Sequence, residues 1–209
     1  MAAAAGLVWV TLLMCVALGA GQLDRASIQE ALVAAFFPEG SLPPPVRIYC
    51  REDAALNVGI DGNNNVVLVN ADCSDLSQKW FPVYIRSSLD NGEIERKPFF
   101  LMNAQTSQVI TIPTWSRSTG QKVGLSSPPT NLLLVNTWLR EASKQLWTPE
   151  KPTRTDGFYK LIVTNDEDAS LNGLWGGVKV GTEVGIYYSS ANSDNAVWKL
   201  TSSITNCYP

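Results

Sequence analysis

The stretch Val66-Val-Leu-Val-Asn-Ala-Asp-Cys-Ser-Asp-Leu-Ser-Gln-Lys-Trp80 runs from an apolar segment through a polar turn into Gln-x-Trp. Related endings return as Gln145-Leu-Trp147 and as Asn195-Ala-Val-Trp198. Three such endings in order point to three copies of one unit, and self-similarity of this kind constrains a fold more than any single motif. An indole buries a large apolar area, so Trp80, Trp147 and Trp198 are expected to meet on one internal axis. Gln78 and Gln145, each two residues before a tryptophan, are placed to satisfy the backbone of a turn.

Short β-rich runs separated by turn clusters precede each ending. The first group is Val46–Cys50, Leu56–Ile60, Val66–Val69 and Trp80–Ile85, with Asp61-Gly-Asn-Asn-Asn65 as a hairpin signal between its second and third members. After the punctuation of Asp90-Asn-Gly92, the second group is Phe99–Met102, Gln108–Ile112, Leu132–Val135 and Gln145–Trp147. The third is Tyr159–Val163, Ser170–Leu171, Val184–Tyr188 and Val197–Leu200. With no helical pattern between them, these strands exclude a βαβ fold. They suit a closed or capped all-β form in which three units pool hydrophobic faces that none could bury alone. The intervals between the tryptophans are unequal, so the copies, about 46–85, 98–148 and 158–200, differ in loops rather than in element count.

The beginning of the chain has another texture. Residues 1–21 carry no charged side chain, and the apolar run Leu7–Leu18 is followed by Gly19, Ala20 and Gly21. That run has the length of a signal-peptide core and falls short of the roughly 20 residues a membrane span needs. Cleavage near residues 19–21 and secretion are expected. In residues 22–45, Ser27-Ile-Gln-Glu30 is a capping box, and Ile28, Leu32 and Ala35/Phe36 recur at helical spacing before Pro38 and Gly40. This predicts one short amphipathic helix, and Pro43-Pro-Pro45 a stiff spacer before a domain spanning 46–209.

Loss of residues 1–21 would remove Cys15 and leave Cys50, Cys73 and Cys207, enough for one disulfide and one spare thiol in an oxidising compartment. Strand alternation puts Val46, Ile48 and Cys50 on one face, the expected buried one, which favours Cys73 with Cys207.

Composition narrows the function. The 209 residues hold 16 basic and 19 acidic side chains, a net charge of −3 with no long Lys/Arg run, so there is no electrostatic footprint for nucleic acid. The chain contains 0 histidines, which removes Ser-His-Asp and Cys-His nucleophile systems and histidine-containing zinc sites. The carboxylates are scattered over turn-like segments, with neither the pairing of a glycoside hydrolase nor the spacing of a calcium site. A non-catalytic protein without cofactor or metal is expected.

Val46-Arg-Ile-Tyr-Cys50, Val66-Val-Leu followed by Asp75 and Gln78-x-Trp80, Leu146-Trp-Thr148, and Asn195-x-x-Trp198-Lys-Leu200 resemble the plant ricin-B-like lectins of the Euonymus-lectin and R40 type. The resemblance covers roughly residues 46–200. It implies a β-trefoil of three four-stranded repeats with pseudo-threefold symmetry, and binding of glycans or glycoproteins without catalysis. Sites of that kind use an acidic or amide side chain for two hydroxyls, an aromatic ring on the apolar sugar face, and an Asn or Gln before the last strand.

Carried over residue by residue, the first repeat offers Gln78, with the acid position near Gly59 and the aromatic one near Val69. The second offers Asn136, Trp138 and Gln145, with Ile110 or Thr111 at the acid position. The third offers Tyr187 or Tyr188 as the ring and Asn195 as the amide. There Asn172 stands beside Gly173 and Leu174 at the acid position, and Ala196 replaces the Gln of Gln-x-Trp.

A purely structural role competes at each position: tryptophans in the core, Gln78 and Gln145 on turn backbone, and Tyr187 and Tyr188 alternating with one ring in and one out. Trp175, in Leu171-Asn-Gly-Leu-Trp-Gly-Gly177, is expected to expose its indole unless the glycine-flanked turn folds back. Two other functional classes share the expected shape. One is an interaction scaffold that has lost its sugar sites. The other is a Kunitz-type protease inhibitor presenting a loop around Arg117 or Arg154, which the cysteine count disfavours.

Overall fold

The computed structural model describes residues 43–84, 97–114, 120–128, 142–150, 156–164, 166–189 and 193–202. The chain divides into two compact units, Met1–Pro43 and Pro44–Pro209, and every described residue but Pro43 lies in the second. The expected signal segment, the helix over residues 27–36, the strand at 132–135, Asn136, Trp138, Arg117, Arg154, Cys15 and Cys207 lie outside the described residues.

Among the described residues the secondary structure is almost wholly extended. The strands are β1 (Arg47–Cys50), β2 (Leu56–Ile60), β3 (Val66–Asn70), β4 (Trp80–Tyr84), β5 (Phe99–Asn103), β6 (Val109–Thr111), β7 (Gln121–Lys122) and β8 (Gly124–Ser126). They continue with β9 (Trp147–Glu150), β10 (Tyr159–Val163), β11 (Asp166–Gly173), β12 (Val184–Tyr187) and β13 (Val197–Thr201).

Six of these close into a ring. β1 pairs β13, β13 pairs β10, β10 pairs β9, β9 pairs β5 and β5 pairs β4, all antiparallel. The ring shuts between β4 and the residue before β1, where Val46 N donates to Trp80 O at 2.8 Å and Trp80 N to Val46 O at 2.9 Å. Closure leaves the ring no free edge to template aggregation.

Three hairpins stand off the ring: β2–β3, β6–β8 and β11–β12. The last two continue from ring strands, β6 pairing β5 and β11 pairing β10. They also join one another, since β7 pairs β12 and a Val67–Glu183 bridge links β3 to the start of β12. The turn of the first hairpin forms where its signal predicts. Asp61 Oδ1 accepts from Asn63 N at 2.8 Å and Asn65 N at 2.9 Å, and Asn64 takes the left-handed φ of 63° that asparagine tolerates.

The tryptophans sit where ring and hairpins meet. Trp80, Trp147 and Trp198 are each 0% exposed and belong to one core cluster with Ile48, Leu68, Phe99, Leu101, Leu161 and Leu171. A buried indole N–H needs an acceptor, and each of two finds it on a hairpin: Trp80 Nε1 donates to Val58 O and Trp198 Nε1 to Leu171 O, both at 2.9 Å. Each indole thereby fixes its ring strand to the second strand of its own unit. Trp147 Nε1 has no acceptor among the described residues. Cys50 is buried and free, and burial pushes its thiol pKa up, whereas Cys73 is disulfide-bonded.

Several strand expectations need correction. The partner of β6 is Gly124–Ser126, where no strand was expected, because pairing with β6 extends this polar stretch while β7, just before it, is held by β12. The strand expected at Ser170–Leu171 runs over Asp166–Gly173, its acidic start being carried by pairing to β10. Gln145 is not in a strand: it ends a turn closed by Gln145 N donating to Ala142 O at 2.9 Å, and β9 begins at Trp147.

Candidate functional site

Beside the first indole, Asp75 caps the 3₁₀ turn Leu76–Gln78 by accepting from Ser77 N at 2.8 Å. That turn aims Gln78 inward, where it is 4% exposed. Gln78 Nε2 donates to Asn70 O at 3.0 Å and Asp75 Oδ2 at 3.1 Å. Its Oε1 accepts from Asn57 Nδ2 at 2.8 Å and Asp72 N at 3.0 Å. All four bonds a glutamine can make are used, so Gln78 is a clasp between β2, the end of β3 and the turn. Asn57 Oδ1 is left over. The space beside Gly59 is filled: a Cβ there would stand 2.7 Å from Val69 Cγ2 and 3.2 Å from Gln78 Cγ.

Gln145 makes the corresponding contact to the end of β8. Its Nε2 donates to Ser126 Oγ at 2.7 Å and Ser127 O at 3.2 Å, and Ser126 Oγ shares a 2.6 Å bond with Thr111 Oγ1.

The third unit has no such clasp, because Ala196 fills the equivalent place with a methyl that is 0% exposed. Asn195 acts instead. Its Nδ2 donates to Asn172 Oδ1 and to Gly173 O, both at 2.7 Å. The two expected amides therefore meet, although 23 positions separate them in sequence. Asn172 is 2% exposed, and its own Nδ2 is buried without a hydrogen-bond partner. Turning that amide over would set one donor against another, so two N–H bonds at Asn172 face no protein acceptor. A buried donor left in this state costs about 1–3 kcal/mol.

Strand register brings the ring to the same face. Asn172 lies opposite Gly185 and Ser170 opposite Tyr187, so these four share one side of the β11–β12 hairpin. The other side sends Leu171 and Ile186 into the core. Tyr187 is 39% exposed, beside a Ser170–Ser189 hydroxyl pair at 3.0 Å. Tyr188, 37% exposed, follows the end of β12, so the expected alternation of one ring in and one out is replaced by two outward rings. Leu174 is buried, with its side chain against Gly185, which rules it out as a polar contact.

Charge stands off to one side. Asp194, next to Asn195, binds Arg51 Nη1 at 3.1 Å, and Arg51 Nε faces Asp156 at 3.0 Å. This face thus presents two carboxamides, hydroxyls and a phenol, groups able to exchange hydrogen bonds with a neutral polar molecule. Among the described residues no three His, Cys, Asp or Glu side chains are grouped to hold a metal ion. Sequence spacing gave no sign of the leftover Asn172 donor, which depends on the loss of a Gln at position 196.

Neither a scan of family models nor a search of curated proteins finds a match to this chain. Solved structures do match. The designed threefold-symmetric protein ThreeFoil has a TM-score of 0.57 at 18% identity, the match covering 76% of this chain and 99% of that one. The fold is a β-trefoil. The ricin B-like lectin of Macrolepiota procera, solved with lactose, matches at a TM-score of 0.56 and 13% identity, covering 77% of this trefoil-bearing chain and 96% of the lectin. The exo-β-1,3-galactanase 1,3Gal43A of Clostridium thermocellum matches at 0.57 and 15% identity, over 77% of this chain but only 31% of the enzyme. The β-trefoil therefore occurs both as a nearly whole lectin and within a larger enzyme chain.

Proposed function

We propose that this protein is a secreted, non-catalytic carbohydrate-binding β-trefoil of the plant ricin-B-like type, working through its third hairpin. The observation that carries the reading is the Asn195–Asn172 pair, with a buried and unanswered donor at Asn172, on the face that also exposes Tyr187. A pyranose supplies what this face lacks: hydroxyl oxygens for the Asn172 donor and an apolar C–H face for the tyrosine ring. The lactose complex of the Macrolepiota procera lectin adds support by fold, as the ligand class of a similar trefoil.

On this reading the chain is three four-stranded repeats behind a cleaved segment of residues 1–21, a short helix and the proline spacer. Cys73 pairs with Cys207 in the oxidising compartment, leaving Cys50 as a small core hydrophobe. Asn136 and Trp138 form a second, incomplete site in the middle repeat. Binding is shallow, metal-independent and weak for single sugars.

A glycan array with the mature protein tests it. Binding that disappears in Asn195→Ala and Tyr187→Ala variants that remain fully folded at the assay temperature supports the reading. No glycan bound at high protein concentration, or hits indifferent to both substitutions, would count against it. An interaction scaffold without sugar binding is the second reading, favoured by the filled space at Gly59 and the burial of Asn172.

A further inference from the structure

Trp175 is the most exposed large hydrophobic residue among those described, at 76%. Its backbone is left-handed, φ 72°, a conformation that is strained for a bulky side chain, and Gly176 and Gly177 continue it at 67° and 59°. Such strain persists only where the surroundings impose it, and here they do. Leu174, just before, is 2% exposed and its N donates to Glu183 O at 2.9 Å. Val178 N donates to Glu52 Oε1 at 3.2 Å, Gly181 N to Leu68 O at 2.8 Å, and Leu68 N to Thr182 O at 2.8 Å. The loop is thus fastened to the first hairpin on one side and to β12 on the other, while its largest apolar group stays in solvent.

The indole is also seated. A Cβ at Gly120 would lie 2.7 Å from Trp175 Cη2 and 3.1 Å from Cζ2, so only the missing side chain there makes room for the ring edge. Gly120 has φ +84°, and its N donates to Ile186 O at 2.9 Å, the residue before Tyr187. The ring edge is therefore placed against the chain that borders β12, and the loop that carries the ring leaves β11 directly after Asn172 and Gly173. Lys122 and Glu183 nearby pair with each other.

We infer that the third-hairpin site extends onto Trp175 as a second aromatic platform, and that its ligand is an oligosaccharide of two or more sugar rings. The inference rests on the carbohydrate reading above. One ring packs beside Tyr187 with its hydroxyls toward Asn172 and Asn195, and a neighbouring ring lies on the open face of the indole.

Calorimetric titrations would compare methyl glycosides of galactose, mannose and N-acetylglucosamine with lactose, mannotriose and chitotriose. The wild type is expected to bind one of these oligosaccharides about tenfold more tightly than the matching methyl glycoside, the scale of one added aromatic contact. Trp175→Ala should bring that ratio close to one, Trp175→Phe should keep most of it, and Val180→Ser on the same loop should leave it intact. A wild-type ratio near one, or a ratio unchanged in Trp175→Ala, overturns the extension while the site at Asn172 stands. Binding of Trp175, but not Trp175→Ala, to phosphatidylcholine vesicles in place of sugars also overturns it. Wild-type protein that binds none of the six sugars removes the carbohydrate reading itself.

Discussion

In the first hairpin, Gln78 uses all four of its hydrogen bonds on the protein and the space above β2 is filled by Val69. In the third, alanine stands in place of that glutamine, Asn195 reaches Asn172 instead, and the Asn172 N–H group is left without an acceptor on the strand face that also carries the exposed Tyr187. The two hairpins hold equivalent places, each tied to its own buried tryptophan. What separates them is the group left over: an acceptor, Asn57 Oδ1, in the first and a donor, Asn172 Nδ2, in the third. On the proposed reading the first arrangement serves the framework and the second serves a ligand.

The largest effects should come from what the hairpins share. Trp80→Ala or Trp198→Ala should each cost about 3–5 kcal/mol in denaturant unfolding, through a cavity and an orphaned carbonyl. Equal losses at the two positions would show that the indoles carry the framework alike, and a loss below about 1 kcal/mol at either would break the comparison at its root.

Next comes the clasp. Gln78→Ala should destabilise by about 1–3 kcal/mol by stranding Asn57 and Asp72 N, with no effect on any glycan bound. Asn195→Ala should cost a similar amount, about 1–3 kcal/mol, by stranding Asn172 Oδ1 and Gly173 O, and should in addition lose binding. If both variants lose only stability, the contrast between the hairpins has no functional content.

A third substitution sharpens the difference by trying to erase it. Gly59→Asn would give the first hairpin an amide, yet Val69 Cγ2 stands 2.7 Å from the new Cβ. Overpacking should cost about 1–3 kcal/mol and create no site. Relief by Val69→Ala in the double variant would confirm the cause.

The smallest effect concerns the turn before the first clasp. Hydrogen bonds from the Ser74 side chain and backbone hold the Asp72 carboxyl below its ordinary range. A depressed folded pKa means a contribution present above the unfolded value and lost as pH falls through the folded one. Asp72→Asn should thus be slightly less stable than wild type near neutrality and lose less stability on acidification, the two converging once pH has fallen through that acidic window.

Much of the framework was legible because it is local. Gln-x-Trp endings, the Asp61–Asn65 turn and the alternation in Val46–Cys50 each declare a strand or turn within a few residues. β7 and β8 were not legible, since Gln121-Lys-Val-Gly-Leu-Ser126 carries little apolar pattern and becomes extended by pairing with β12 and β6. The acidic start of β11 reads as a turn until β10 is beside it. The residues of the site, Asn172, Tyr187 and Asn195, came from a family resemblance. The Asn172–Asn195 contact and the placing of Tyr187 on the same strand face came only from the fold, because a bond across 23 positions and hairpin register are tertiary facts. Gly120 beneath Trp175 is of the same kind: a missing side chain in one unit that gives a ring in another its seat.

Side-chain amide signals offer the most direct test. In one nuclear magnetic resonance titration of the ¹⁵N-labelled protein with an array-selected oligosaccharide, the Nδ2 groups of Asn172 and Asn195 should shift together and saturably. Those of Asn57 and Gln78 should stay where they are. Shifts confined to Asn57 and Gln78, or no shift at Asn172 while the sugar binds elsewhere, would contradict the assignment of the site to the third hairpin.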